Sequence, residues 1–81
     1  MLKKIEFEGM EFEYDPKEAG SYRNIKRIAR AQKDMGGFFD AFEAIFSGHD
    51  EEYAERLGND FEKLGLLASE CINASGAAAK N

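Results

Sequence analysis

Residues 2–14 alternate apolar and charged side chains around a single glycine, and this pattern strongly constrains how the chain begins. Alternation with a period of two places the apolar side chains on one face of a β-strand. Gly9 readily adopts the positive φ of a tight turn, so a β-hairpin turning at Glu8-Gly9 is predicted. An isolated hairpin is marginally stable in water, so its apolar face must pack on helices. The predicted cross-strand pairs are Phe7 with Met10, Ile5 with Phe12, Lys3 with Tyr14, Lys4 with Glu13 and Glu6 with Glu11.

Helical periodicity and capping residues follow the hairpin. Asp15-Pro16 and Asn59-Asp60 are typical helix starts, and Glu18 is placed to complete a capping box with Asp15. Gly36-Gly37 is expected to break the chain, and Gly48 and Gly58 to end helices. The predicted fold is α+β, mainly α: an N-terminal β-hairpin followed by three to four helices packed on its apolar face. The predicted elements are a hairpin at 2–14 and helices at about 16–34, 37–47, 50–57 and 60–75.

Length and composition favour one small folded domain at 1–76, followed by a flexible tail at 77–81. The chain has 81 residues, of which 43% are hydrophobic, so a folded state is expected. A domain of this size has little room for a deep catalytic cleft beside its core. The net charge of −5 argues against nucleic acid as the main partner.

The number of cysteines and the hydropathy of the sequence indicate the cellular compartment in which the protein is expected. The single cysteine, Cys71, excludes an intramolecular disulfide and is typical of a reducing cytosol. The sequence has neither a recognisable signal peptide nor the roughly 20 apolar residues of a membrane span. A soluble, cytoplasmic protein is therefore expected, with no membrane partner.

Positive charge is concentrated after the hairpin. Residues 16–33 contain six basic side chains and one acidic one, whereas residues 34–81 contain three basic and ten acidic ones. One interpretation is a solvated helix face whose charge is balanced by neighbouring acids. The other is a docking stripe for an acidic partner, or for the acidic half of another copy. The residues expected to form this stripe are Arg23, Arg27 and Arg30.

Four phenylalanines, Phe38, Phe39, Phe42 and Phe46, cluster in the second predicted helix. At helical spacing such residues most often belong to the core. However, seven Phe and three Tyr are many for a small domain. Some of these rings are therefore candidates for an open apolar surface that binds a helical partner or a sister subunit.

The residues that could carry chemistry are few. His49 has no second histidine, so a metal site is not expected there. Cys71 lies on the apolar face of the last predicted helix, as a core thiol would, although a Cys71–His49 nucleophile–base pair remains formally open. No catalytic residue, metal or cofactor is predicted.

The order of the elements resembles a known family. A hairpin leads through Asp15-Pro16 into a helical body, and Ser47-Gly48 precedes an acidic segment at 50–57. An amphipathic helix and a small-residue tail at 76–81 end the chain. Over nearly its whole length the sequence resembles the tail assembly chaperones of long-tailed (siphovirus-type) bacteriophages and prophages. It departs from that pattern in the basic segment Arg23–Lys33.

The resemblance implies a non-enzymatic chaperone that binds the tape measure protein, with the tail tube protein as a second candidate partner. Such chaperones keep the tape measure protein soluble during tail tube assembly. The resemblance also implies a homo-oligomer in the host bacterial cytoplasm that is absent from the mature virion. The alternative is a small phage or bacterial regulatory or adaptor protein that binds an acidic protein through the basic helix at 23–33.

Overall fold

The computed structural model describes residues 1–31, 33 and 35–76, so the predicted tail at 77–81 lies outside the described residues. Within them the chain forms a two-stranded antiparallel sheet followed by five helices, which confirms the predicted α+β, mainly α fold. The elements are β1 (Lys3–Phe7), β2 (Met10–Tyr14), α1 (Pro16–Ala19), α2 (Tyr22–Ala29), α3 (Gly36–Ile45), α4 (Asp50–Arg56) and α5 (Phe61–Ala74).

The hairpin has the predicted register, with Ile5 opposite Phe12 and Phe7 opposite Met10. Glu8 and Gly9 both have positive φ angles, 55° and 77°, as a two-residue turn that matches the strand twist requires. Lys4 lies opposite Glu13 as predicted, but its ammonium group is paired diagonally with Glu11 at 3.7 Å. This pair is exposed, so it contributes little to stability.

Helix α4 covers the outer edge of β2. The Tyr53 hydroxyl accepts a hydrogen bond from the Glu13 N–H at 3.1 Å and donates one to the Glu13 carbonyl at 3.0 Å. Arg56 Nη2 donates to the Glu11 carbonyl at 2.7 Å, and its guanidinium carbon lies 4.2 Å from the centre of the Phe12 ring. Because these contacts pair backbone groups that β1 does not reach, they fix the hairpin to the helical body.

The prediction of one continuous helix at 16–34 is wrong. The first helix ends at Ala19, and a second runs from Tyr22 to Ala29. Ser21 between them is extended, with φ −72° and ψ 129°. Gly20 is a poor helix former, and Ser21 is a residue type that favours a helix start. Gly20-Ser21 therefore indicates a helix boundary, but the helical spacing of apolar residues across 16–34 favoured a single helix.

The predicted capping box is also absent, although Asp15 does cap α1. The Asp15 carboxylate accepts from the Lys17 and Glu18 amides at 2.9 and 3.4 Å. The Asp15 amide donates to the Ile45 carbonyl at 2.8 Å instead of to Glu18. The Glu18 carboxylate is bound by Asn24, which is part of a later helix, so a tertiary contact replaces the local one.

The remaining helices lie close to their predicted positions. Gly48 and Gly58 have φ angles of +84° and +81° and follow α3 and α4, as predicted. Asp60 caps α5 by accepting from the Glu62 and Lys63 amides at 2.9 and 3.2 Å.

The core lies between the apolar face of the hairpin and helices α3, α4 and α5. Residues from all these elements form one buried cluster, and hairpin residues Ile5, Phe7 and Met10 pack against it while partly exposed. The largest fully buried apolar side chains are Phe12, Phe42, Ile45, Phe46 and Leu67. Burying one such side chain stabilises the fold by about 1.5–3 kcal/mol relative to leaving it exposed.

Candidate binding surfaces

Seven aromatic rings form a connected row from the hairpin to the surface. Neighbouring ring centroids lie 5.0 to 6.3 Å apart, within the range of favourable aromatic contacts. From the hairpin outwards, this aromatic row runs through Phe12, Tyr53, Phe46, Phe42 and Phe61, and at its outer end the Phe61 ring contacts both Phe38 and Phe39.

The four phenylalanines predicted to contact a partner do not share one environment. Phe46 is 0% exposed and lines none of the described grooves, so the prediction that it contacts a partner is wrong and it belongs to the core. Phe42 is 1% exposed and also belongs to the core, but it lines a surface groove, so its contact with a partner stays a prediction. Phe38 is half-buried, whereas Phe39 is 54% exposed. The reason is the geometry of α3, since residues four positions apart face the core together and Phe39 lies about 100° round the helix from Phe38.

The outer end of the row forms a groove of about 200 Å³ between α3, α4 and α5. Phe39 and Phe61 both line this groove and contact each other edge to face, with their ring centroids 6.1 Å apart, and Phe61 is 43% exposed. The remaining lining is apolar from Phe42, Ala54 and Leu64 and polar from Asp50, Glu51 and Asn59. We call this surface, lined by Phe39, Phe42, Asp50, Glu51, Ala54, Asn59, Phe61 and Leu64, the aromatic groove.

The aromatic groove combines apolar walls with carboxylates on one side. Asp50 and Glu51 belong to the first turn of α4, where negative charge is favoured by the helix dipole. Apolar side chains of a helical ligand would gain area against Phe39 and Phe61, and Lys or Arg beside them would meet these carboxylates. The surface is therefore chemically suited to an amphipathic helix with basic residues next to its apolar stripe.

A second and larger groove lies along α2. It has a volume of about 460 Å³ and is lined by Tyr22, Arg23, Lys26, Arg27, Arg30 and Gly37, which we call the basic groove. Among residues 1–31, 33 and 35–76, no carboxylate oxygen lies within 4 Å of any of its four cationic groups. The structure thus brings together Arg23, Arg27 and Arg30, the three arginines of the predicted docking stripe, and adds Lys26 and an aromatic ring.

Gly37 brings α3 close to α2 and so forms one wall of the basic groove. A Cβ atom at this position would lie 2.7 Å from the Arg27 carbonyl oxygen, so only glycine allows the two backbones to approach this closely. The predicted break at Gly36-Gly37 does separate two helices, but both glycines belong to the first turn of α3.

Asn24 is a buried polar residue that the apolar spacing of α2 did not reveal. Its Nδ2 donates to the Glu18 carbonyl and to Glu18 Oε1 at 2.9 and 2.8 Å, and its Oδ1 accepts from Arg27 Nη1 at 3.1 Å. These bonds satisfy Asn24, join α1 to α2 and hold the Arg27 side chain. The only sequence signal for it is an amide among the apolar positions of a helix.

The opposite charge is displayed on α4. A depression with a volume of about 420 Å³ is lined by Glu51, Glu52, Ala54, Glu55 and Asn59, which we call the acidic surface. Glu52 has His49 Nδ1 at 3.5 Å, but both side chains are more than half exposed, so this pair is weak. The acidic surface shares Glu51, Ala54 and Asn59 with the aromatic groove and no residue with the basic groove.

Several exposed apolar side chains were not singled out from the sequence. Phe61 begins the apolar stripe of α5, but as the first residue of that helix it lies at the edge of the packing and is 43% exposed. Tyr22, Met35 and Leu66 are also exposed. Of these, Tyr22 lines the basic groove and stacks beneath Lys26, whose ammonium lies 5.6 Å from the ring centre.

Cys71 and His49, the two side chains considered from the sequence as candidates for chemistry, lie in different environments. Cys71 is fully buried in α5, and this burial, with a smaller contribution from Glu70, raises the pKa of its thiol to about 12. A protonated thiol is a poor nucleophile. His49 is exposed and stacks on Tyr53 with ring centroids 6.0 Å apart. Within the described part of the chain, no three His, Cys, Asp or Glu side chains are grouped as a metal site requires.

None of the helices in the described ranges is long and apolar enough to cross a membrane. No protein-family model matches the chain, and the comparisons with curated proteins and with solved structures found no match.

Proposed function

We propose that this protein is a non-enzymatic tail assembly chaperone of a long-tailed phage or prophage that binds the tape measure protein. The observation that supports the proposal is the aromatic groove, in which two large rings, Phe39 and Phe61, remain exposed beside the buried core. Exposed apolar surface of this kind is typical of sites that bind another protein.

The chemistry of the groove is compatible with this ligand. A tape measure protein is a long amphipathic helix whose apolar face aggregates when it is uncovered. Packing that face against Phe39 and Phe61 would remove it from water, and Asp50 and Glu51 would pair with basic residues beside it. The net charge of −5 would keep the coated complex soluble. In this role the protein acts in several copies in the host cytoplasm, has the tail tube protein as a second candidate partner, and is left out of the mature virion.

Co-expression with the tape measure protein encoded nearby tests the proposal. The wild-type chain should raise the soluble yield of the tape measure protein, and Phe39→Ser should lose most of that effect while its thermal unfolding stays close to wild type. Tyr22→Ser is the matched control, because Tyr22 is an exposed aromatic outside the aromatic groove and this variant should retain the effect. Equal solubilisation by both variants would exclude the aromatic groove as the binding site.

The basic groove favours a second candidate function, a regulatory or adaptor protein that binds an acidic protein partner through α2. Its four cations lack carboxylate partners within the described residues, and its volume accommodates side chains of a ligand. Gene order separates the two candidates. A chaperone gene should lie between the tail tube gene and a very long tape measure gene, and any other location would favour the adaptor.

A further inference from the structure

The two edges of the β-hairpin differ in what covers them. In an antiparallel pair, opposite residues alternate between pairs that bond each other and pairs whose N–H and C=O groups point outwards. Glu11 and Glu13 are the outward residues of β2, because side chains of α4 bind their backbone groups. Glu6 and Lys4 lie opposite them, so the backbone groups of these two residues point outwards from β1.

The outward backbone groups of β1 are open to a ligand. Among residues 1–31, 33 and 35–76, no group donates a hydrogen bond to the Lys4 or Glu6 carbonyl, and none accepts one from their N–H groups. Both residues are exposed. The strand contains no proline, and its five residues are paired with β2 without a bulge, so this edge keeps the regular spacing that another strand needs.

The side of the hairpin that faces the core remains partly open next to this edge. Ile5 and Phe7 pack against the core but are only half-buried, whereas Phe12, which lies opposite Ile5 on β2, is 1% exposed. The apolar face of the hairpin therefore reaches the β1 edge and is partly exposed there. Apolar residues on an added strand would lie beside Ile5 and Phe7 and remove this area from water.

The opposite side of the hairpin, which faces away from the core, has an excess of negative charge. Its paired residues are Lys4, Glu6, Glu11 and Glu13. The Lys4 ammonium is paired with Glu11, and within the described residues no cation lies within 4 Å of the Glu6 carboxylate. Glu6 also lies directly opposite Glu11, and like charges in such positions are destabilising. A Lys or Arg on an added strand beside Glu6 would compensate this repulsion.

We propose that β1 binds an extended segment of a partner protein, which adds a third strand through the backbone groups of Lys4 and Glu6. The segment runs antiparallel to β1, the orientation that is more stable per residue, with apolar residues opposite Ile5 and Phe7 and a Lys or Arg opposite Glu6. A second copy of β1 fits less well. The one antiparallel register that avoids like charges opposite Lys4 and Glu6 would place Lys3 opposite Phe7 on the apolar side.

The inference is independent of the proposed function, since the aromatic groove includes no residue of the hairpin.

Synthetic peptides test the inference on the full chain. The probe is a short peptide, capped at both ends, in which threonines flank Val-Lys-Val. When it is added to the ¹⁵N-labelled protein, amide shifts should concentrate in β1, and hydrogen exchange at the Lys4 and Glu6 amides should slow by at least about tenfold. N-methylation of the peptide lysine removes an N–H that faces β1 and should weaken binding at least about tenfold. N-methylation of a peptide valine is the matched control, because that N–H faces away.

Charge reversal tests the choice of partner. A peptide with Glu in place of the central Lys should bind the wild-type chain at least about tenfold more weakly, and Glu6→Lys should reverse this preference. Equal binding of the two peptides by the wild-type chain would overturn the proposed pairing with a basic residue.

Substitution at Lys4 tests the edge itself. Lys4→Pro removes an N–H that points away from β2, and edge strands tolerate proline at such positions. Lys4→Ala is the matched control, since it loses the same side chain and keeps the N–H. Peptide binding should fall at least about tenfold in Lys4→Pro and stay close to wild type in Lys4→Ala. Equal binding by these two variants would contradict strand addition.

Three further results would overturn the inference. One is the absence of amide shifts in β1 up to about 5 mM peptide. Another is equal binding of the two N-methylated peptides, which needs only the wild-type chain and so decides the matter even if Lys4→Pro fails to fold. The last is slow exchange of the Lys4 and Glu6 amides without peptide, since a second copy would then already cover the edge. The solubilisation test with Phe39→Ser does not depend on any of these results.

Discussion

The two ends of the aromatic row contain the same kinds of side chain in opposite environments. At the hairpin end, Phe12, Phe46 and Tyr53 are buried, and Arg56 covers the Phe12 ring with its guanidinium group. At the groove end, Phe39 and Phe61 are in contact with each other but open to solvent. The difference arises because Phe39 lies about 100° round α3 from Phe38, and Phe61 is the first residue of α5, at the edge of the packing.

This comparison separates stability from binding. Rings at the covered end contribute hydrophobic burial to folding, whereas rings at the open end leave apolar area that a ligand can cover. Substitutions along the row should therefore change the free energy of unfolding strongly at the hairpin end and weakly at the groove end.

The largest effect is expected for Phe46→Ala. Phe46 is fully buried and contacts both Phe42 and Tyr53, so its removal leaves a cavity in the core. The free energy of unfolding should fall by about 3–5 kcal/mol, which is a large share of the stability of a small domain. Urea unfolding measures this loss, and a change below about 1 kcal/mol would contradict the assignment of Phe46 to the core.

Tyr53→Phe removes only the hydroxyl that joins α4 to the hairpin. The ring stays in the row, but the N–H and C=O of Glu13 lose their partner at the covered end. We expect a loss of about 1.5 kcal/mol, since each such hydrogen bond contributes about 0.5–1.5 kcal/mol and water can replace part of it. Hydrogen exchange at the Glu13 amide should accelerate, and unchanged exchange there would show that the hydroxyl does not hold the strand.

Asp60→Ala removes the N-terminal cap of α5, the helix that positions Phe61 at the groove end. The Asp60 carboxylate caps the helix whose first residue is Phe61, and it accepts two backbone N–H groups. Its loss should cost about 1 kcal/mol in the free energy of unfolding, measured by urea titration. Asp60→Asn is the matched control, because asparagine also caps helices and should restore most of the stability. Equal losses in the two variants would mean that the cap is not the cause.

The smallest effect on stability is expected for Phe39→Ser. Because more than half of the Phe39 side chain is already exposed, the free energy of unfolding should change by less than about 0.5 kcal/mol. Thermal unfolding of the wild type and the variant side by side measures the difference. A loss of unfolding free energy comparable to that of Phe46→Ala would mean that Phe39 belongs to the core. The hairpin end and the groove end of the aromatic row would then not differ in their contribution to stability.

The sequence predicts the hairpin in detail, but it does not predict which phenylalanines are buried and which are exposed. The first depends on local signals, whereas the second depends on tertiary packing. Strand alternation and a turn glycine are local signals, so the register at 2–14 follows directly from them. Which face of α3 is covered depends on where the hairpin and α5 pack, and this is a tertiary property. The spacing of Phe38, Phe42 and Phe46 indicates one shared face, but it does not indicate that the face is the buried one.

The basic groove is likewise only partly predictable from the sequence. The sequence places Arg23, Arg27 and Arg30 on one helix, but it does not predict the groove that they line with Gly37. That groove depends on the boundary at Ser21, the buried amide of Asn24 and the close approach of Gly37 to the Arg27 carbonyl. Two of these three are contacts between elements and have no signature in local periodicity.

The central claim is that the groove end of the aromatic row binds the apolar face of a helix, and an NMR titration tests it most directly. Helical segments of the tape measure protein encoded nearby should be added to the ¹⁵N-labelled protein. Amide shifts should concentrate around Phe39, Ala54, Phe61 and Leu64, and Phe39→Ser should weaken binding by at least about tenfold. Shifts confined to Arg23–Arg30, or none with any segment, would contradict the claim.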